Sequence, residues 1–435
     1  MTAPVRTSGP VGAPPGRLFR HRDFRLLWTG HTVSAVGSNM TAVALPLVAV
    51  AVLDATTFQV AVLTAAAWLP WLLAGLPVGA WVDRVRRRPV MIAADLAAAA
   101  LFASVPVAAL AGLLTVGHLL VVALGAGLAR VFFETADQVY LPTLLRPEQV
   151  PEANARLHAT QTASYLVGPG LAGLVAQIVG AVAAVALDAL TFLFSALCLR
   201  RIRAVEPRPH RPAGATSLRR EVAAGLRFVV RDPYLRVLTV FGAASNIGLT
   251  GYQAVLVVFL VRSAELPAGL VGLLIGLASL GGVIGAGLAA RLSRRLGSAR
   301  TLLVAGALTG PPALLIPLAG PGARTGWLVL GGVLVSLGVA VGNVVKGSFR
   351  QTYTPHRLLG RVTVSMQLLN YGTIPLAALL AGALGAAWGP GGAIRTMTAW
   401  LALTPLILLA GPLRRRRDLL AGPLRRRRDL PAAPS

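Results

Sequence analysis

One cysteine, one lysine and 15 acidic residues are all that this chain of 435 contains of those types. The lone Cys198 lies in an apolar run, which leaves no disulfide framework and no thiolate metal site. Six histidines, at 21, 31, 118, 158, 210 and 356, fall at no ligand spacing, so neither a metal nor another cofactor is expected. Charge is scarce too: 13% of residues are charged and 55% hydrophobic, against ~25% charged in soluble domains. An ordinary soluble domain is thereby excluded. No nucleotide-binding loop and no Ser/His/Asp constellation stands in a loop, which disfavours an enzyme and transport driven directly by ATP. Nor does the start read as a cleavable signal: residues 1–16 are Pro/Gly-rich and the first apolar run is too long.

What the chain does have is apolar runs of bilayer length. A helix needs ~20 such residues to cross, and about twelve runs qualify. They lie near 24–52, 59–82, 90–112, 117–140, 159–179, 181–199, 237–261, 267–290, 301–319, 325–345, 363–387 and 393–412. The expected fold is an all-α integral membrane protein of twelve transmembrane helices. The net charge of +26 sorts by loop: of 41 basic residues, all but Arg130, Arg262, Arg324 and Arg395 fall on the side that holds both termini. This positive-inside asymmetry places both termini in the cytoplasm. The charge is thus a topology signal, and nucleic acid is not an expected partner. With arginine supplying nearly all of it, and Ala, Gly, Val and Leu abundant, a GC-rich bacterial coding sequence is implied.

The two halves echo each other. Gly79-x-x-x-Asp83 matches Gly287-x-x-x-Arg291, and Pro147 matches Pro355, both at an offset of 208; Pro169 and Pro375 are 206 apart. Two pseudo-symmetric six-helix bundles follow, over 23–200 and 237–412. They are flanked by a cytoplasmic arm (1–22) and a basic tail (413–435), and joined by a linker (201–236). Within the linker, Ser217–Val230 reads as an amphipathic helix that lies on the cytoplasmic leaflet or packs on the protein's cytoplasmic mouth. The tail repeats Gly-Pro-Leu and four arginines at a period of 11, which adds attraction to anionic membrane lipids.

Between the second and third runs stands Gly79-Ala80-Trp81-Val82-Asp83-Arg84-Val85-Arg86-Arg87-Arg88. This Gly-x-x-x-Asp-Arg-x-x-Arg-Arg pattern resembles the loop between spans 2 and 3 of major facilitator superfamily transporters, with Arg86 where a second glycine is usual. Further stretches, from His21-Arg22-Asp23-Phe24 through Leu187-Asp188-Ala189-Leu190-Thr191-Phe192 to Leu359-Gly360-Arg361-Val362, are similar to the enterobactin-exporter and macrolide-efflux branch. The resemblance covers about 20–410. It implies a substrate site between the halves near the midplane. It also implies a conformational latch: Gly79, Asp83, Arg84, Arg87 and Arg88 would meet the start of span 11 near Arg361 when the cytoplasmic side closes. A carboxylate is favoured at a helix N-terminus, and Arg291 has replaced it in the second half, so the latch would be one-sided. Gly168-Pro169-x-x-x-Gly173 partly matches the span-5 motif of drug exporters; Pro removes a backbone bond and Gly allows close approach, so the segment can act as a bend.

Charges inside a span are functional hypotheses by default. Arg130, Glu134 and Asp137 share one face of span 4, and Asp95 could reach them or Arg84. Either Arg130–Glu134 is a neutralising pair that lets the span insert, or Glu134 or Asp137 is a proton site. Asp188 stands without a visible partner in span 6; it is either a hydrogen-bonded structural group or a second proton or cationic-substrate candidate. His31, Asn39, Asn246 and Asn370 fit helix–helix hydrogen bonds or substrate contact. The reading is a monomeric secondary transporter in a bacterial plasma membrane, proton-coupled, exporting a small amphipathic compound. An importer, or a receptor without transport, is the alternative.

Overall fold

The computed structural model describes residues 18–82, 84–204, 206 and 218–411. Those residues are helical almost throughout, as a bilayer demands: with no water to satisfy N–H and C=O groups, a crossing segment must bond within itself. The first half comprises α1 (Arg22–Ala51), α2 (Thr57–Val82), α3 (Arg87–Leu110), α4 (Val116–Leu144), α5 (Val150–Ile178) and α6 (Ala181–Arg201). After α7 (Leu218–Arg231) come α8 (Pro233–Val258), α9 (Ala268–Leu296), α10 (Ser298–Thr309), α11 (Thr325–Tyr353), α12 (His356–Leu403) and α13 (Pro405–Ala410).

Ten segments are long and apolar enough to cross a membrane. One of them, Leu358–Ala410, holds two crossings, because Gly389 takes φ 71° and Pro390 restarts the helix. Gly389 permits that reversal; a side chain there would be strained. Adding α5, 29 residues long and less apolar for its polar first turns, gives twelve crossings. Most helices overrun the apolar runs at the arginine-rich end: α5 starts at Val150, α9 ends at Leu296 and α11 ends at Tyr353. Hydropathy marks where lipid ends, whereas the helix continues into water.

Within each half the same pairs pack: α2 on α4 and α1 on α5 and α6, then α9 on α11 and α8 on α12. In α9, a Cβ on Gly281 would overlap the carbonyl oxygen of Val333 on α11. In α4, a Cβ on Gly127 would likewise overlap the carbonyl oxygen of Ala67 on α2. Small residues let backbones close where lipid offers no hydrophobic drive to association. The amphipathic helix α7 packs on α8 and α12, with Val229 buried and Val230 exposed.

The halves meet through α5 on α9 and α2 on α12. Their close approaches sit at the end away from the basic loops. A Cβ on Gly173 would fall 2.6 Å from the Gly269 carbonyl oxygen, and one on Gly382 would fall 2.6 Å from Ala61 Cβ. Arg262, carried by the π-turn Phe259–Ser263, bonds Asp54 at 2.5 Å across the same end. At the arginine-rich end, Gly79, Gly287 and Gly360 face open space. Among the described residues, the halves are therefore held together at the end away from the basic loops.

Candidate functional site

Midway along the helices, where the two halves part, four elements bring polar and aromatic side chains together. Arg130 and Glu134 sit one turn apart on α4 and pair at 2.6 Å, side chains 47% and 38% exposed. The Arg130 guanidinium lies 5.2 Å from the centre of the Trp68 ring on α2. Tyr371, on α12 of the other half, packs 5.9 Å from Trp68 and 6.0 Å from Trp71. Tyr165 of α5 also lies within electrostatic reach of Arg130 and Tyr371. A contact from the second half shows that the Arg130–Glu134 exposure faces the space between halves, not lipid. The site offers a carboxylate, a guanidinium and a wall of flat rings.

Asp137, one turn beyond Glu134, is oriented inward. Its Oδ1 is buried without a hydrogen bond, and its electrostatic neighbours are His31 of α1 and Glu134. Asp95 of α3 lies beside Ser195 of α6 and within reach of Asp137, and so joins the α4 group. The three α4 residues thus split in use, with Arg130 and Glu134 toward the cavity and Asp137 toward the bundle interior.

Asp188 belongs to neither. It is 0% exposed between α1 and α6 and accepts a hydrogen bond from Thr191 at 2.9 Å. The partner was one turn away in the sequence all along. Against Asp188 and Thr191 packs Gly37 of α1, which has no room for a Cβ. Among the intramembrane amides, Asn246 Nδ2 crosses from α8 to donate to the Asn370 carbonyl at 3.2 Å, while Asn39 bonds its own helix at Ala35.

At the arginine-rich end, Asp83 and the Arg361 side chain lie outside the described residues, so the expected latch contact does too. Gly79 and the exposed Arg84 close α2 and begin the turn. Arg87 and Arg88 are turned toward their own half. Glu206 accepts from the Arg87 N–H at 2.7 Å and pairs with the Arg87 side chain at 3.4 Å, a carboxylate seated at the N-terminus of α3. Arg88 donates to the Leu199 and Arg200 carbonyls, capping α6. Asp23 accepts from the Arg203 and Ala204 N–H groups. Two acids therefore pin the start of the linker to the first half.

In α5 the helix runs on through Pro169. Gly168 abuts Asn39 of α1, and Gly173 abuts Gly269 and Gly272 of α9, so this stretch is where α5 touches both halves. Sequence reasoning missed Trp68, Trp71, Tyr165, Tyr371 and the second-half cation Arg350. Nothing in a span's hydropathy separates a cavity-facing ring from a lipid-facing one.

The profile of the Major Facilitator Superfamily matches residues 27–378. Over 405 residues the chain is 29% identical to the multidrug efflux pump Tap of Mycolicibacterium fortuitum, covering 91% of this chain and 96% of that protein. It is 27% identical over 183 residues to macrolide efflux protein A of Streptococcus pyogenes, covering 41% of this chain and 44% of that protein. Among solved structures, a bacterial homologue of the iron transporter ferroportin, in its inward-facing state, superposes with a TM-score of 0.70 at 18% identity, covering 89% and 98% of the two chains. The nucleoside transporter NupG gives 0.70 at 10% identity, covering 91% and 99%. Low identity with close superposition speaks to the fold alone. These are transporters, not enzymes. This multi-pass membrane protein belongs to the Major Facilitator Superfamily.

Proposed function

We propose that the chain is a proton-coupled exporter of small amphipathic compounds, working by alternating access in a bacterial plasma membrane with both termini cytoplasmic. The observation that carries this reading is the midplane site, in which Arg130 and Glu134 of one half face Tyr371 of the other across a gap lined by Trp68 and Trp71. The names of the relatives, a multidrug pump and a macrolide efflux protein, support the direction. With the basic loops in the cytoplasm, the end at which the halves touch is the outer one, as expected of an inward-open state. Cargo enters from the cytoplasm or inner leaflet, spreads on the rings and meets the ion pair. Rocking about the α5–α9 and α2–α12 contacts then exposes it outward. Glu134 would exchange protons with whichever side the cavity opens to, with Asp137, buried one turn on, as the alternative proton site. When the cytoplasmic side closes, Asp83 would meet the start of α12 near Arg361.

Cells overproducing the chain are expected to accumulate less of an amphipathic dye or antibiotic than controls, with the difference abolished by a protonophore. Raised accumulation across a broad panel would establish import instead. Unchanged accumulation, together with binding by the purified protein, would leave a receptor.

A further inference from the structure

The second half's wall of the cavity holds cations with no anion to answer them. Lys346, the only lysine of the chain, and Arg350 lie one turn apart on the last turns of α11. Lys346 Nζ stands 5.6 Å from the centre of the Phe241 ring on α8. Arg350 is within electrostatic reach of Tyr371, the residue that bridges to Trp68 and Trp71. Among the described residues no carboxylate pairs with either cation, and Arg350 Nε is buried without an acceptor. The sequence explains why: from 237 to 411 the sole acidic residue is Glu265, at the far end of the molecule. A third orphan lies on α12, one residue before Tyr371. Asn370 Oδ1 is buried and unbonded next to Gly242, the neighbour of Phe241. Gly347, between the two cations, opens onto free space.

Cations without a carboxylate inside a membrane-spanning bundle are costly, and the buried Arg350 Nε and Asn370 Oδ1 without partners add to that cost. Such a set is expected where a ligand brings the missing groups. Resting on the reading of the cavity as the cargo site, we propose that Lys346 and Arg350 form an anion subsite. They hold a carboxylate, sulfonate or phosphate group of the cargo, while Asn370 Oδ1 accepts from a neighbouring donor. The rest of the molecule lies on Tyr371, Trp68 and Trp71, toward Glu134. The preferred cargo is then an anionic or zwitterionic amphiphile. A neutral or purely cationic one fits less well. The N-terminal wall takes the apolar or cationic portion and the C-terminal wall takes the anion.

Two fluorescent probes sharing one ring skeleton test this: 8-anilinonaphthalene-1-sulfonate, which is anionic, and N-phenyl-1-naphthylamine, which is neutral. The full chain in zwitterionic-lipid nanodiscs is titrated with each, following the ligand-dependent rise in unfolding temperature; transport of each is read in proteoliposomes. In the Lys346→Gln, Arg350→Gln double variant the sulfonate is expected to bind about tenfold or more weakly, since charge-assisted hydrogen bonds are the strong ones. The neutral probe is expected to change less than about twofold. Lys346→Arg, which keeps the charge, is expected to retain sulfonate binding. If the double variant does not fold, the single Arg350→Gln change carries the same comparison. Equal weakening for both probes would assign the pair a structural role and overturn the subsite. So would unchanged binding of both with slower turnover of both, which would make the cations closing contacts for first-half carboxylates. Selective sulfonate binding without transport of either probe supports the subsite and counts against the export reading.

Discussion

The two halves share a scaffold and differ in chemistry. In the first half, Asp95, Glu134, Asp137 and Asp188 all lie within crossing helices; in the second, no acid does, and Lys346 and Arg350 are the cations nearest Phe241 and Tyr371. Yet the packing is repeated, with α2 on α4 answered by α9 on α11 and glycines at both crossings. Helix packing depends on small residues at a few positions, and those survived. The charges did not have to match, because one cavity needs only one set of each kind. The shared features therefore report on the fold, and the unshared ones on what the cavity handles.

The largest expected effect strikes the shared part. Gly281→Ala places a Cβ against the Val333 carbonyl oxygen, whereas Gly282→Ala, one residue on, points into open space. Backbone cannot yield as a side chain can, so the first change is expected to cost roughly 1–3 kcal/mol and the second almost nothing. Thermal unfolding of the solubilised protein reads the difference. Equal midpoints would mean that α9 and α11 do not cross as described.

The next effect concerns the contact between halves. Gly173→Leu fills the α5–α9 approach, where a Cβ would already sit 2.8 Å from Gly272 Cα. If the halves rock as bodies, the fold is expected to persist while the closed end loosens. Spin labels across that end should report longer distances and transport should fall several-fold. Unaltered distances with normal transport would show that this contact does not hold the end shut.

Glu134→Gln and Asp188→Asn sharpen the comparison inside the first half. Glu134 faces the cavity and pairs with Arg130 at 2.6 Å; Asp188 is buried against Thr191 and Gly37. The first change is expected to leave folding intact and abolish accumulation driven by a pH gradient in proteoliposomes, with downhill exchange retained. The second is expected to lower expression or unfolding temperature more than coupling. If Glu134→Gln keeps full gradient-driven transport, Glu134 is only the counter-ion of Arg130, and Asp137 becomes the group to test, with Asp137→Asn.

Most of the architecture was legible because apolar length, loop charge and an offset of 208 are one-dimensional signals. On α4 the Arg130–Glu134 pair was legible because a spacing of four shares a helical face, whereas Asp137 turns toward the bundle interior. What escaped depended on neighbours distant in sequence. Trp68 and Tyr371 are separated by 303 positions and meet only after the halves assemble. Lys346 and Arg350 read as loop charges because the apolar run stops at Val345, whereas the helix continues to Tyr353. Glu206, in a segment that reads as loose linker, seats on the N-terminus of α3, which only the fold brings near.

The smallest expected effect tests the one described ion pair that joins the halves. Asp54 and Arg262 lie 208 apart, the repeat offset itself, so opposite charges occupy matching positions and meet across the closed end. Asp54 holds φ 46° in its turn and its side chain is 96% exposed. Exposed pairs contribute about 0–1 kcal/mol and are screened by salt. Asp54→Asn is therefore expected to shift the balance between inward- and outward-open states by less than about fivefold, toward outward-open. The shift should vanish near ~1 M salt, where the screening length is ~3 Å. Distance distributions across the two ends, measured at low and high salt, read it directly. Charge reversal of both partners, Asp54→Arg with Arg262→Asp, should restore the original balance. A large, salt-independent shift from Asp54→Asn alone would place the effect in the strained turn and not in the ion pair.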